Sequence, residues 1–152
     1  MTYFLIFCTA KIGGVDMILP DTDPQKQNQL EIILSTNPAE DEIHTWIRSV
    51  DDIQTFEEMF RGIVYDPCPD FTAADIEEAL KCGRIVVYSS KPIENGNFVS
   101  PSELEAASYS GDETIYRAEV DVSDIAWIDE TQGQVATDKT IEYERISCKG
   151  MI

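Results

Sequence analysis

The order of helix-like and strand-like segments along the chain constrains its fold most strongly. Capped, helix-like segments occupy much of residues 49–83, whereas strand-like segments fill most of residues 84–147. This order favours an α+β domain over a doubly wound parallel sheet, because parallel strands need a helix between successive strands. A chain of 152 residues is long enough for one hydrophobic core, so we expect residues 1–152 to form a single domain.

Two helices are predicted early in the chain by their capping residues. Ser49, with an aspartate three residues later, begins a first helix whose apolar positions recur until Gly62. Thr72, again followed by an aspartate at the third position, caps a second helix over residues 73–82. Gly83 ends the second helix, since glycine adopts the left-handed conformation that closes many helices.

A third helix is predicted in the stretch "FVSPSELEAASYSG". Ser100 is followed by Pro101, a favoured first helical residue, and by Glu103 at the third position. We therefore expect Ser100 to cap this helix and Leu104 and Ala107 to face the core. A helix N-terminus also presents free N–H groups to an anion, so a ligand near Ser100 is compatible with the capping role.

The other periodic segments predict strands, with residues 20–29 as a polar loop. An apolar N-terminal stretch within residues 1–14 is interpreted as a buried strand, because it lacks the basic region of a signal peptide. The remaining predicted strands are residues 30–34, 84–90, 97–100, 114–122, 124–129 and 139–147. Four widely spread cysteines without a CxxC pair predict reduced thiols in a cytoplasmic protein and no metal site. No apolar run reaches the roughly 18 residues of a membrane helix.

The charge is strongly negative, with 29 acidic and 11 basic residues. Residues 37–82 contain 12 acidic and 3 basic residues, and residues 103–130 contain 9 acidic and 1 basic residue. Residues 83–102, which lie between them, are nearly neutral. This field excludes direct nucleic-acid binding, which requires cations at the phosphates, and it favours a partner with a basic surface. Solubility alone would also explain it.

Three ordered segments resemble a known family. They are "EIHTWIRSVDDIQTF", "RIVVYSSKPIENGNFVSPSELEAASYSG" and "IYRAEVDVSDIAWIDETQGQ", and the resemblance covers residues 30–136. Together they resemble the ADP-ribosyltransferase-like family of phages and mobile elements, which often occurs as a module of larger phage proteins. The resemblance implies a split β-sandwich around a cleft that binds NAD as substrate, so we expect that fold here.

The resemblance implies a cation on a first strand and serines on a second. Arg48 is our candidate for the cation that holds the NAD phosphates or ribose, and His44 is a second candidate. Ser100 and Ser102 correspond to the family's Ser-Thr-Ser motif, with proline in place of threonine. Tyr109 corresponds to the aromatic residue that often closes the following helix.

The family's first motif can also be aligned with a second segment of the chain, which we call the second register. In that register the strand carrying "VVYSS" is the family's first strand, and Tyr88 and Ser89 replace Arg48 and its neighbour. Each of these residues also has a purely structural interpretation. Arg48 could pair with a surface acid, and Tyr109 could pack on the sheet.

The third motif of the family, Gln/Glu-x-Glu, falls at Gln132-Gly133-Gln134. Its last glutamate stabilises the oxocarbenium-like transition state electrostatically. Gln134 is neutral, so we expect Gln134→Glu to raise any transferase activity. Glu144, in "EYE", is an alternative catalytic acid on a later strand.

Two functions of different classes follow. The first is an enzyme that transfers ADP-ribose from NAD to a host protein. The alternative is a non-catalytic acidic inhibitor, comparable to DNA-mimic anti-CRISPR or anti-restriction proteins. Such an inhibitor would occupy the nucleic-acid groove of a host defence protein, for example a CRISPR effector. A structural phage component is a third possibility.

Overall fold

The computed structural model describes residues 23–36, 47–111 and 114–147, together with the backbone of residues 9–12 and 15–18. His44 and most of the predicted N-terminal strand lie outside these residues. Four α-helices are described: α1 (Pro24–Ser35), α2 (Phe56–Phe60), α3 (Ala73–Cys82) and α4 (Glu103–Ala107). Short 3-10 turns occupy Val50–Asp52 and Val122–Asp124.

The described strands form antiparallel sheets, which makes the fold α+β as expected. The strands are β1 (Thr9–Ile12), β2 (Val15–Ile18), β3 (Arg84–Ser89), β4 (Phe98–Val99), β5 (Thr114–Asp121), β6 (Ile125–Asp129), β7 (Gln132–Val135) and β8 (Glu144–Ser147). Strands β1 and β2 form a hairpin, and the others form two three-stranded sheets in the orders β3-β5-β8 and β4-β7-β6.

The two three-stranded sheets are joined where Tyr88 meets Ser100. The N–H of Tyr88 donates to the Ser100 carbonyl at 2.7 Å, and the N–H of Ser100 donates to the Tyr88 carbonyl at 2.8 Å. This contact is an isolated bridge, so the backbone pairing of β3 with β4 does not extend beyond it. Tyr88 lines a cavity on each side of this contact.

The main core lies between the sheets and helices α2 and α3. Trp127 on β6 is fully buried and contacts the edges of Phe56 and Phe60. A second cluster beneath α1 contains Ile33 and Ala126, on the other face of the β4-β7-β6 sheet. Both faces of the β4-β7-β6 sheet are therefore covered.

A third cluster places α4 against the β3-β5-β8 sheet. Ala107 of α4 packs with Ile115 of β5, and Tyr88 and Ile146 complete this group. Ala107 therefore faces the interior as predicted. Leu104 was predicted to face inward as well, but it is 44% exposed, so that prediction is wrong.

Helix α1 replaces the predicted strand over 30–34 and most of the predicted loop over 20–29, of which residues 20–22 lie outside the described residues. Asp23 accepts a hydrogen bond from the N–H of Gln25 at 2.9 Å, and Pro24 is the first helical residue. This pair forms an ordinary helix start, because proline needs no backbone partner there. The apolar run at 30–34 is the last part of this helix, and it buries Ile33 and leaves Leu34 exposed.

The helix starts predicted at Ser49 and Ser100 are both displaced. Ser49 does form a capping box, but it caps only the 3-10 turn, and α2 begins after a second capping box at Thr55. Helix α4 is capped by Ser102, whose hydroxyl accepts from the N–H of Glu105 at 3.0 Å. Ser100 does not cap, because its backbone pairs with Tyr88.

Helix α3 and several strands form as predicted. Thr72 caps α3 and Gly83 ends it in the left-handed conformation, with φ of 75°. Strands β3, β4, β5 and β6 lie within the predicted ranges. In the predicted strand over 139–147, only Glu144–Ser147 is regular.

Candidate functional site

A cavity of about 480 Å³ lies on one side of the contact between Tyr88 and Ser100. Its walls come from the end of β3 and the loop after it, from β4, from helix α4 with Tyr109 beyond its end, and from Gln132 at the start of β7. Five residues that the resemblance marks as NAD-binding line this cavity: Tyr88, Ser89, Ser100, Tyr109 and Gln132. The structure therefore brings Tyr88 and Ser89, the alternative residues for the first motif, together with Ser100 of the serine motif. Tyr109 and Gln132 lie at the same cavity.

Buried serine hydroxyls shape the inner part of the cavity. The hydroxyl of Ser89 donates to the Phe98 carbonyl at 2.8 Å and accepts from the N–H of Lys91 at 3.1 Å. The hydroxyl of Ser100 accepts from the N–H of Ser102 at 3.0 Å. Both serines are almost inaccessible, with exposures of 4% and 3%. Their hydrogen bonds hold β3, β4 and the start of α4 at the spacing that opens the cavity.

Three side chains form a hydrogen-bonded group at the mouth of the cavity. The hydroxyl of Tyr109 donates to Glu105 at 3.3 Å, and the amide of Gln132 donates to the same hydroxyl at 3.5 Å. Partial desolvation of the hydroxyl, followed by the negative charge of Glu105, raises the pKa of Tyr109. Tyr109 therefore stays protonated at neutral pH and can donate a hydrogen bond.

Lys91 and Glu105 are cavity residues that the sequence analysis missed. Among the lining residues in the described part of the chain, Lys91 provides the one cation and Glu105 the one carboxylate. Lys91 is exposed and follows Ser89 by two residues, and Glu105 lies within the helix after the Ser-Pro-Ser segment. Their proximity in sequence to the serines was a usable signal, but their orientation depends on the loop and on α4.

Three candidate catalytic residues do not line the cavity. Arg48 is exposed just before the first 3-10 turn, where its backbone N–H donates to Asp52 at 2.9 Å. Glu144 lies on the outer strand β8 and pairs with Arg117 at 2.8 Å. Neither Arg48 nor Gln134 lines the cavity beside Ser100.

Gln134 is buried within the β4-β7-β6 sheet. It is 2% exposed, and its side-chain NH₂ donates to the Gly96 carbonyl at 2.9 Å. Its Oε1 atom has no hydrogen-bond partner in the part of the chain that the structure describes. Gln134 therefore fixes the turn before β4 and does not present its amide in the cavity lining.

Ser102 has a structural role beside the cavity. Its hydroxyl donates to Asp70 at 2.7 Å while it caps α4. Asp70 also accepts from the N–H of Leu104 at 3.0 Å, so a loop carboxylate completes the start of the helix. This pairing explains why Ser102 is buried and absent from the lining.

The chemistry of the cavity fits a small polar molecule with an anionic group. Its volume lies within the range of small-molecule sites, about 300–1,000 Å³. Apolar and aromatic walls can contact a base or a sugar, and Lys91 can hold a phosphate. Over residues 23–36, 47–111 and 114–147 no group of three or more His, Cys, Asp or Glu side chains could hold a metal ion.

Comparisons with known proteins identify no related protein. No family model, curated protein or solved structure matches this chain. None of the described helices is both long and apolar enough to cross a membrane.

Proposed function

We propose that this chain is an ADP-ribosyltransferase-like protein of a phage or mobile element and that its cavity binds NAD. One observation carries the proposal: five residues chosen as NAD-binding from the sequence line a single cavity at a split between two small sheets. They come from four separate segments spanning residues 88–132, so their convergence depends on the tertiary fold and not on sequence proximity.

The cavity favours the register in which Tyr88 and Ser89 stand at the first motif. In this arrangement Lys91 takes the role assigned to Arg48 and holds the diphosphate. Tyr109 stacks on a ring of the ligand, and Gln132 donates a hydrogen bond to a ribose hydroxyl. Transfer of ADP-ribose to a host protein then requires a carboxylate near the reacting carbon, and Glu105 is the lining residue of that type.

Calorimetry with NAD and with ADP-ribose tests the proposed ligand. We expect Lys91→Ala to weaken binding about tenfold, which corresponds to roughly 1.4 kcal/mol. Lys81→Ala is the matched control, because Lys81 is exposed on α3 and does not line the cavity. Equal losses in the two variants would refute the role of Lys91. The absence of any heat of binding with either nucleotide would refute the proposal itself.

Labelled NAD distinguishes binding from transfer. Incubation with host lysate should label a host protein if the chain is a transferase, and Glu105→Gln should then reduce labelling without abolishing NAD binding. Binding without labelling would restrict the proposal to a non-catalytic NAD-binding protein.

The second candidate is an acidic inhibitor of a basic host protein. It is favoured by exposed carboxylates along α3, including Glu77 and Glu78, which face solvent with no cation partner in the described residues. Such binding should require no NAD and should weaken steeply as the salt concentration rises. Inhibition of a host defence protein in the absence of NAD would support this candidate over the transferase.

A further inference from the structure

A second groove, of about 390 Å³, lies on the other side of the contact between Tyr88 and Ser100. It runs along the edge of β3 between helix α3 and the loop at Asp70 and Phe71. Tyr88 lines both this groove and the cavity described above. We name it the β3-edge groove.

The backbone of Val86 faces this groove as an unpaired strand edge. Tyr88 directs its N–H and C=O to Ser100, away from β5, and antiparallel strands alternate the direction of these groups. Val86, two residues earlier, therefore directs its N–H and C=O to the same edge. No hydrogen bond joins Val86 to a residue on that side in the described part of the chain. Strand β4 does not continue the pairing, because Ser102, which would stand opposite Val86, donates its N–H to the Ser100 hydroxyl at 3.0 Å and begins helix α4.

The groove has an apolar floor and an acidic rim. Phe71, Ala79 and Ile85 form part of the floor. Within the described residues, four carboxylates and one guanidinium stand around it: Asp70, Asp75, Glu78, Glu119 and Arg84. The guanidinium of Arg84 already pairs with Asp121 at 2.8 Å, which leaves the rim negative.

The rim carboxylates differ in how far they are already engaged. Asp70 accepts hydrogen bonds at the start of α4, and Asp75 belongs to the capping box of α3. Glu119 lies 3.8 Å from Arg84. Glu78 is exposed on α3 and forms no ion pair in the described residues, so it can meet a cation from outside.

We propose that the β3-edge groove binds an extended, lysine- or arginine-containing segment of a partner protein, which adds a short strand to β3 in line with β4. The backbone of that segment bonds the N–H and C=O of Val86, as in strand addition. Alternate side chains enter the apolar floor, and its cations meet Glu78 and the neighbouring carboxylates. A nucleic acid fits the groove poorly, because the rim repels phosphates.

This inference does not depend on NAD binding. Tyr88 lines both the β3-edge groove and the cavity. If a partner segment occupies the groove while NAD occupies the cavity, the segment therefore lies next to the nucleotide, with only Tyr88 between them. Experiments without NAD therefore test the groove separately from the proposed function.

A fluorescein-labelled octapeptide of alternating lysine and valine is a suitable probe, and its anisotropy reports binding to the full chain. We expect Glu78→Lys to weaken binding about tenfold, because it reverses a charge that faces the peptide. Glu77→Lys is the matched control, since Glu77 is exposed on the same helix but does not line the groove. Equal effects of the two variants would show general charge attraction and overturn the proposed site.

Two further peptides separate strand addition from simple charge attraction. Replacing the lysines by glutamates should abolish binding, and N-methylation of alternate backbone amides should weaken the lysine peptide strongly. If the N-methylated peptide binds as well as its parent, the backbone of β3 does not take part and the proposal is wrong.

Amide hydrogen exchange gives a direct readout at Val86. Its amide should exchange rapidly in the free protein and slow at least tenfold with the lysine peptide bound. The amide of Val87, which faces β5, should be protected in both states. Peptide binding without added protection at Val86 would refute the strand geometry.

Discussion

Replacing Gln134 by glutamate tests whether this position belongs to the catalytic site or to the core. The third family motif led us to expect that Gln134→Glu would raise transfer. The structure predicts a different outcome, because Gln134 is 2% exposed and donates its hydrogen bond to the Gly96 carbonyl. A carboxylate at this position would be buried against a carbonyl oxygen. We therefore expect the glutamate to stay protonated in the folded state, with its proton bonding that carbonyl.

The loss of stability in Gln134→Glu can be calculated, because the introduced carboxylate must take up a proton when the chain folds. An exposed glutamate has a pKa of about 4.3, and a buried one can rise by about 3–5 units. Stability is then retained below pH 4.3, where both states are protonated. It falls by about 1.4 kcal/mol per pH unit until the pH reaches the folded-state pKa. At pH 7 the variant should lose about 3.7 kcal/mol relative to pH 4, a large share of a typical unfolding free energy of about 5–15 kcal/mol.

Urea denaturation of wild type and variants between pH 4 and pH 8 measures this loss. Each variant is compared with wild type at the same pH, so that the titration of the other acids cancels. Gln132→Glu is the matched control, because Gln132 lies on the same strand but is partly exposed at the cavity. Its carboxylate stays solvated and should show little pH dependence. If Gln134→Glu is as stable as wild type at pH 7.5, or if its activity rises, the burial argument is wrong.

Three further predictions concern the fold. Gly133→Ala should cost about 2 kcal/mol or more in a denaturation experiment, because its Cβ would lie 2.4 Å from a methyl carbon on β6. Gly111→Ala, with open space around it, should change stability little, and equal costs would contradict the packing. Thr72→Ala should cost about 1 kcal/mol and lower the Tm by about 2–4 °C through loss of the α3 cap, and an unchanged Tm would count against that cap. The hydrogen bond from Lys139 is the main cause of the lowered pKa of Asp121. The stability difference between wild type and Asp121→Asn should therefore be present above about pH 4 and shrink as the pH falls further. A difference that stays constant with pH would argue against the pairing of Asp121 with Lys139.

Capping residues and apolar periodicity in the sequence determined those parts of the fold that depend on interactions between residues close in sequence. Thr72 and Gly83 bound α3 as predicted, because a cap depends on residues within one turn of it. The period of two in residues 114–122 predicted β5, which the structure places at Thr114–Asp121. The α+β class followed from the order of such elements, whereas the implied relation to ADP-ribosyltransferases remains a prediction.

Contacts between distant residues decided what the local signals left open. The apolar-rich segment at 30–34 is compatible with a strand or a helix, and packing of Ile33 in the second cluster accompanies the helix. The sequence predicted Ser100 as the cap of α4. Tertiary structure selects Ser102, because Tyr88 engages the backbone of Ser100 and Asp70 accepts the hydroxyl of Ser102.

The candidate site shows the same division. The family resemblance marked positions 88, 89, 100, 109 and 132 for a ligand, and the fold gathers them around one cavity. Lys91 and Glu105 join them only through the loop after β3 and the docking of α4. Gln134 carries the same side chain as Gln132 two residues earlier, yet it is buried, because the register of β7 between β4 and β6 and the contact with Gly96 determine where each side chain ends.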